Sequence, residues 1–262
     1  MLALSLALVV TAAQVSSPEG FRAQVIVEEA GESTTYQVYF GKGTLRVDPP
    51  DAELFVLVDV TSPGLTLVYP ESSCYYRVEP PEHRILFEMG VLDRSWFPWV
   101  VRVSADLLED VSLEAGGSAP LPDGRTGRRF EGVSPTYHRV VAAYTVDPDV
   151  APDLFFQWRD AYFELWADSQ DESDDPQRKR LALYAELPGL PVVSEERFLY
   201  LSRPRTTRLE GRERLPEDAF TIPEDYQEGD PRELYWESLS ERILREFGIK
   251  ERDSDFCADP TH

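Results

Sequence analysis

The sequence predicts an α+β fold: a strongly curved antiparallel β-sheet interrupted by helical insertions and followed by a C-terminal helix. Three observations predict it. Six short strand-like runs follow one another between residues 21 and 78, further strand-like runs recur around 127–147 and 192–214, and segments with three- and four-residue apolar spacing separate or follow them.

The first ladder comprises residues 21–28, 35–40, 43–48, 54–59, 65–69 and 74–78, set apart by Gly, Pro, Ser or Asp. Such even spacing means consecutive antiparallel neighbours, a meander curling toward a barrel or half-barrel. Pro80-Pro81 ends it. Residues 82–112 read as helical pieces, 82–92 and 100–109, broken at Trp96-Phe97-Pro98-Trp99 because proline forbids one continuous helix. Residues 116–127, with Gly116-Gly117, Pro120, Pro122 and Asp123-Gly124, read as a turn-rich loop. Strands are expected at 127–133 and 138–147.

Pro152 opens a helix over 153–168 in which Phe155, Trp158, Tyr162, Leu165 and Trp166 recur at helical spacing. An acidic loop at 168–176 and a short segment at 178–187 follow. Pro188-Gly189 turns the chain into a strand pair at 192–202 and 205–214. Asp230-Pro231-Arg232-Glu233 has the form of a helix start: a capping carboxylate, Pro at the first position and Glu three residues after the cap. Tyr235, Leu239, Ile243 and Phe247 share one face of that helix, which stops at Gly248. No repeat period or interdomain linker is visible. The expected organisation is a leader at 1–13, one domain at 20–228, and a helix and tail at 229–262.

Forty-eight acidic residues against 26 basic ones give a net charge of −22. Such a field repels phosphate backbones and anionic headgroups, which argues against nucleic acid and against electrostatic membrane docking. Lys42, Lys179 and Lys250 are the only lysines; every other basic residue is Arg. Residues 1–13 carry no charge and form an apolar run, and Val10-Thr-Ala-Ala13 supplies the small residues that signal peptidase needs. The run is short for a membrane span, and no cysteine follows it that would receive a lipid anchor. The expectation is a periplasmic or secreted protein, not integral to the membrane after leader cleavage, and a monomer. Cys74 and Cys257 suit that compartment. A disulfide between them would staple the tail to the sheet, worth about 2–4 kcal/mol; the alternative is two independent thiols.

Gly43-Thr-Leu-Arg-Val-Asp48, Val58-Asp-Val60 followed by Leu67-Val-Tyr-Pro70 and Tyr75-Tyr76, the Gly189-Leu-Pro191 turn, and a closing segment with Phe220, Pro223 and Tyr226 stand in an order that resembles the LolA/LolB-like proteins. The likeness is strongest to an exported LolA-like family of the DUF4412 type and spans most of 20–228. The resemblance implies a half-barrel of about eleven strands with helices at its mouth, and a cavity that holds acyl chains.

Under that resemblance Phe155, Trp158, Tyr162 and Trp166 would form a lid over an apolar ligand; separately, Trp96, Phe97 and Trp99 beside Pro98 could form a hydrophobic loop tip that marks a partner or ligand site if exposed. The same aromatics could instead fill the half-barrel as ordinary core. Asp168-Ser-Gln-Asp-Glu-Ser-Asp-Asp175 lacks the glycine and terminal Glu of a calcium loop and reads as solvated. No nucleophile elbow, zinc-helix or phosphate-loop motif is present, and nothing in the spacing assembles His83, His138 or Ser134 into a catalytic set. The sequence thus predicts no catalytic residue, no metal and no cofactor. It points to a noncatalytic exported protein that binds a lipid or other hydrophobic small molecule. The alternatives are an envelope scaffold or sensor domain that binds a protein partner with a filled core and, more weakly, a hydrolase of unrecognised type.

Overall fold

The computed structural model describes residues 20–41, 43–50, 52–59, 64–79, 111–134, 139–147, 186–197 and 205–234, with Glu82, Ile85, Leu86, Val91, Leu92, Trp96 and Pro98 as isolated positions. The leader at 1–13, most of 80–110, the aromatic helix expected at 153–168 and the tail beyond 234 lie outside the described residues.

Alternation of apolar and polar residues in the opening ladder produces a meander. β1 (Gly20–Glu29), β2 (Glu32–Gly41), β3 (Thr44–Asp48), β4 (Phe55–Asp59), β5 (Gly64–Tyr69) and β6 (Cys74–Val78) pair in sequence order, each antiparallel to the next. β7 (Ser112–Pro120), β8 (Thr126–Ser134), β9 (Arg139–Asp147), β10 (Leu190–Glu196) and β11 (Arg205–Arg214) form a second antiparallel run. β11 pairs with β1, so the two runs merge into one large curved sheet ordered β12-β6-β5-β4-β3-β2-β1-β11-β10-β9-β8-β7. β12 (Gln227–Glu228) adds two residues parallel to β6.

β7 and the two-residue β12 differ from expectation. The glycine-rich stretch at 116–120, read as loop, belongs to strand β7, and only the tight turn around Pro122–Gly124 is loop. Gly116 and Gly117 are tolerated because β7 is the outermost of the described strands and its pairing with β8 shifts register between Ala115 and Gly117.

The inner face carries the core. Phe21, Ala23, Val25 and Val27 of β1, Tyr36, Val38 and Phe40 of β2, and the alternate residues of β3 to β6 are buried together with Tyr144, Leu190 and Leu209 in one cluster. Each fully buried Val, Leu or Phe contributes about 1.5–3 kcal/mol of transfer free energy. β6 and β7 are consecutive in sequence yet lie toward opposite edges of the sheet. The chain joining them reaches the inner face on the way, since Leu86 and Leu92 are buried in the cluster and Trp96 packs against it.

The closing segment covers part of the outer face. Phe220, Ile222 and Tyr226 pack on Phe55, Leu57, Val68 and Tyr75. Arg46 holds it in place: its guanidinium lies 3.7 Å from the Phe55 ring centre, forks onto Asp48 at 2.6 and 3.0 Å, and donates to the Ala219 carbonyl at 3.1 Å. The backbone then crosses the β6 edge, with Gln227 donating to Ser73 and Gly229 to Tyr75, both at 2.9 Å. The helix start read at Asp230 forms as expected: the Arg232 amide donates to the Asp230 carboxylate at 3.0 Å, residues 231–234 are helical, and Leu234 is buried in the inner core.

A methyl group added at Gly127 would stand 2.7 Å from the Val146 carbonyl oxygen and 2.6 Å from a Leu121 methyl. Backbone on one side cannot yield, so Gly127→Ala should destabilise the fold by about 1–3 kcal/mol. Chemical denaturation monitored by circular dichroism measures it; a midpoint equal to wild type would contradict the packing described.

Candidate functional site

Two polar constellations interrupt the apolar inner face, at opposite ends of β11. At one end Glu196 and Arg205 face each other in the β10–β11 register, and both are buried. The Arg205 Nη2 donates to the Pro98 carbonyl at 2.8 Å, and its Nε lies 3.8 Å from the Glu29 carboxylate. A buried guanidinium thus ties Pro98 to the sheet.

At the other end is a pocket of about 310 Å³. Its floor is apolar: Phe21, Leu190, Val192 and Leu209. Its rim is charged: Asp123, Arg125, Asp147 and Arg212. The β7–β8 hairpin positions the first pair. Leu121 and Arg125 close the turn through an amide-to-carbonyl bond of 2.8 Å, Gly124 takes a φ of 82°, and the Arg125 amide donates to the Asp123 carboxylate at 3.0 Å. Arg125 then reaches the end of β9, forking onto Asp147 at 3.2 and 2.7 Å while its Nε donates to Asp123 at 2.8 Å. Asp147 and then Asp123 hold the Arg125 guanidinium more firmly protonated than usual, and the hydrogen bond from Arg125 lowers the Asp123 pKa.

Arg212 arrives through a bulge. Between Arg22 and Gln24 the register of β1 advances by two residues while β11 moves from Glu213 to Glu210, so β11 holds one extra residue. Gly211 makes this possible with a φ of 63°. Unbroken register would set Arg212 opposite Arg22. The bulge places Glu213 there, where it forms an ion pair with Arg22, and swings Arg212 over the Phe21 ring at 4.6 Å. The Phe21 ring stacks in turn on Phe40 at 4.8 Å. A second irregularity, between Pro191 and Val193 of β10, sets Val192 into the same pocket.

Of the residues expected to bind ligand, Trp96 packs against the inner core, while Trp99, Phe155, Trp158 and Tyr162 lie outside the described residues. Cys74 is fully buried in β6, and Cys257 lies outside the described residues. Sequence reasoning missed the charged pocket. Its available signals were Gly211 inside a strand-like run and the Pro-Asp-Gly turn preceding Arg125. No group of His, Cys, Asp or Glu suited to a metal is present among the described residues, and none of their helices is long and apolar enough to cross a membrane.

No family's sequence profile matches the chain, and no curated relative does. Among solved structures it is similar to a conserved protein from Thermus thermophilus, at 11% identity over 81% of this chain and 90% of that one, with a TM-score of 0.39. It is also similar to MucB, at 12% identity over 80% of this chain and 59% of that one, with a TM-score of 0.42. MucB has also been solved in complex with MucA from Pseudomonas aeruginosa. A DUF1329 family protein from Desulfovibrio piger is a further likeness, at 11% identity over 77% of this chain and 88% of that one, with a TM-score of 0.29.

Asp147 is 2% exposed and accepts from two guanidinium groups. Asp147→Asn should cost about 2–3 kcal/mol by weakening charge-assisted bonds, read as a lowered thermal midpoint. Asp123 acts with the opposite pH sign to a raised group. Its lowered pKa means that its pairing with Arg125 stabilises above the ordinary value of 3.8 and is lost as pH falls through the lower folded value. Acid titration of Asp123→Asn against wild type should show that difference shrinking as pH falls below the ordinary value of 3.8.

Proposed function

We propose that this chain is a noncatalytic exported protein that takes up a lipid or another apolar ligand on the inner face of its sheet. One observation supports this reading most: what lies on that face among the described residues is connecting chain and the start of the C-terminal helix, not a second sheet. Leu86, Leu92, Trp96 and Leu234 meet an apolar surface running from β6 through β1 to β9. A second sheet would be held by its own hydrogen-bonded ladder, whereas a connection can lift about its ends. Arg205, gripping the Pro98 carbonyl, is the natural catch for such movement. Trp96, Trp99, Phe155, Trp158 and Tyr162 would line the opened space. Apolar burial supplies the driving force, about 25 cal/mol per Å², less the cost of ordering ligand and cover. The leader at 1–13, a periplasmic location, a Cys74–Cys257 disulfide and membership among LolA-like proteins of the DUF4412 type belong to the same reading.

A second reading is an envelope scaffold with a filled core that binds a protein partner. The β7 edge favours it, because seven of the nine residues from Ser112 to Pro120 are exposed at the outermost position of the sheet. Native mass spectrometry of protein purified from its own envelope separates the two. The first reading expects co-purifying acyl lipid and a tryptophan emission shift when fatty acyl ligands are added to stripped protein. Lipid-free protein with unchanged emission would sink it.

Full reduction of the purified protein should lower its thermal midpoint by about 5–10 °C if Cys74 and Cys257 are bonded. An unchanged midpoint would remove the disulfide from the proposal.

A further inference from the structure

We infer that the pocket beneath Arg212 is a binding site for a small monocarboxylate with a compact apolar body, its carboxylate held by the Arg212 guanidinium. The site lies seven residues along β11 from Arg205, about 23 Å at 3.3 Å per residue, and stands independently of the lipid reading.

Charge pairing singles out Arg212. Arg125 is committed to Asp147 through both terminal nitrogens and to Asp123 through Nε. Glu210, which also borders the pocket, accepts from Arg208 at 3.1 Å. Arg212 has a single charged partner among the described residues, Asp147, reached through Nη1 at 3.4 Å, the outer limit of a hydrogen bond. Arg212 is partly exposed to solvent, so its Nε and Nη2 are available to a ligand in exchange for water.

Geometry prepares the group for a carboxylate. Stacking on Phe21 orients the guanidinium plane before any ligand arrives, and a planar fork matches a carboxylate through two parallel bonds. Rigid placement lowers the ordering cost of binding. The apolar floor of Leu190, Val192 and Leu209 lies beside the same group, so a ligand that satisfies the site has one charged end and a hydrocarbon end. Arg125 and Arg212 offset Asp123 and Asp147, and Arg208 from outside the pocket offsets Glu210, so there is no surplus of positive charge and one negative charge is accommodated better than the two of a phosphate. A volume of about 310 Å³ is at the small end of ligand pockets and too little for a two-chain lipid. Both bulges, at Gly211 and Val192, open onto this pocket, and bulges serve to re-aim side chains at sites.

The test titrates the full folded chain with hexanoate, hexan-1-ol and acetate, following binding by calorimetry and by chemical shifts of the Phe21, Val192 and Leu209 side chains. Hexanoate should bind at least about tenfold more tightly than either control, since each lacks one half of the recognition. Arg212→Gln should weaken hexanoate about tenfold or more while leaving the circular dichroism spectrum unchanged, and Arg212→Lys should fall between. Equal binding of hexanoate and hexan-1-ol, wild-type affinity in Arg212→Gln, or shift changes elsewhere would overturn the inference. If Arg212→Gln fails to fold, the three-ligand comparison and the wild-type shift map decide alone. Acyl lipid recovered from the envelope with no hexanoate binding overturns this site and spares the lipid reading; hexanoate binding without recovered lipid does the reverse.

Discussion

The structure depends on the pairing of β1 with β11. Every other strand contact joins near neighbours within one of the two runs or caps an edge, whereas this one joins the first strand to a strand about 190 residues away, as the Arg22–Glu213 pair marks. Closing a loop of that length costs about 5 kcal/mol in the length-dependent term. Burial of Phe21, Val25 and Val27 on the inner face of β1 returns about 5–9 kcal/mol. The seam therefore holds by its apolar side chains as much as by its ladder. It also makes the inner core continuous, because without it the meander and the later strands would each expose an apolar face.

How legible this was in the sequence depended on how many constraints each segment satisfied locally. The opening ladder was readable because alternation, β-branched residues and turn residues agree from 21 to 78, and its strands form within a few residues of the expected bounds. β7 was not, because Gly116 and Gly117 have turn chemistry, and only an edge position makes them acceptable in a strand. β12 has just two residues and exists through its contact with β6, which no local pattern announces. The Arg46–Asp48 and Phe220–Tyr226 motifs were visible as a pair of signatures. That Arg46 clasps the Ala219 carbonyl and stacks on Phe55 required the fold, since 173 residues separate donor and acceptor.

The arginine-rich, lysine-poor composition also finds a physical use. On the outer face Glu28 takes a fork from Arg208, Arg129 lies between Glu131 and Glu195, and Arg77 pairs with Glu228. Exposed pairs of this kind contribute little stability each, about 0–1 kcal/mol. Their geometry matters more, since a planar guanidinium can fork onto a carboxylate and lie on a ring together. Arg46 over Tyr39 and Phe55, Arg77 over Tyr75 and Arg212 over Phe21 all use that second property. A lysine at position 46 would keep one charge and lose the fork and the stack, and with them the hold on the closing segment.

The seam and the charged pocket share one cause. A ten-residue β1 pairs without interruption to β2 on one side, so any mismatch with β11 must be absorbed on β11. Absorbing it at Gly211 resolves a conflict on the outer face, where Arg22 would otherwise meet Arg212, and converts it into an attractive pair with Glu213. The displaced Arg212 turns over the Phe21 ring at the pocket, where its side chain stays partly exposed to solvent. Phe21 beneath it and Asp147 beside it make the position tolerable without filling its hydrogen-bonding capacity. The same extra residue that secures the register therefore leaves a preoriented cation at the mouth of an apolar pocket. A site at this end of the sheet follows from the way its two halves are joined.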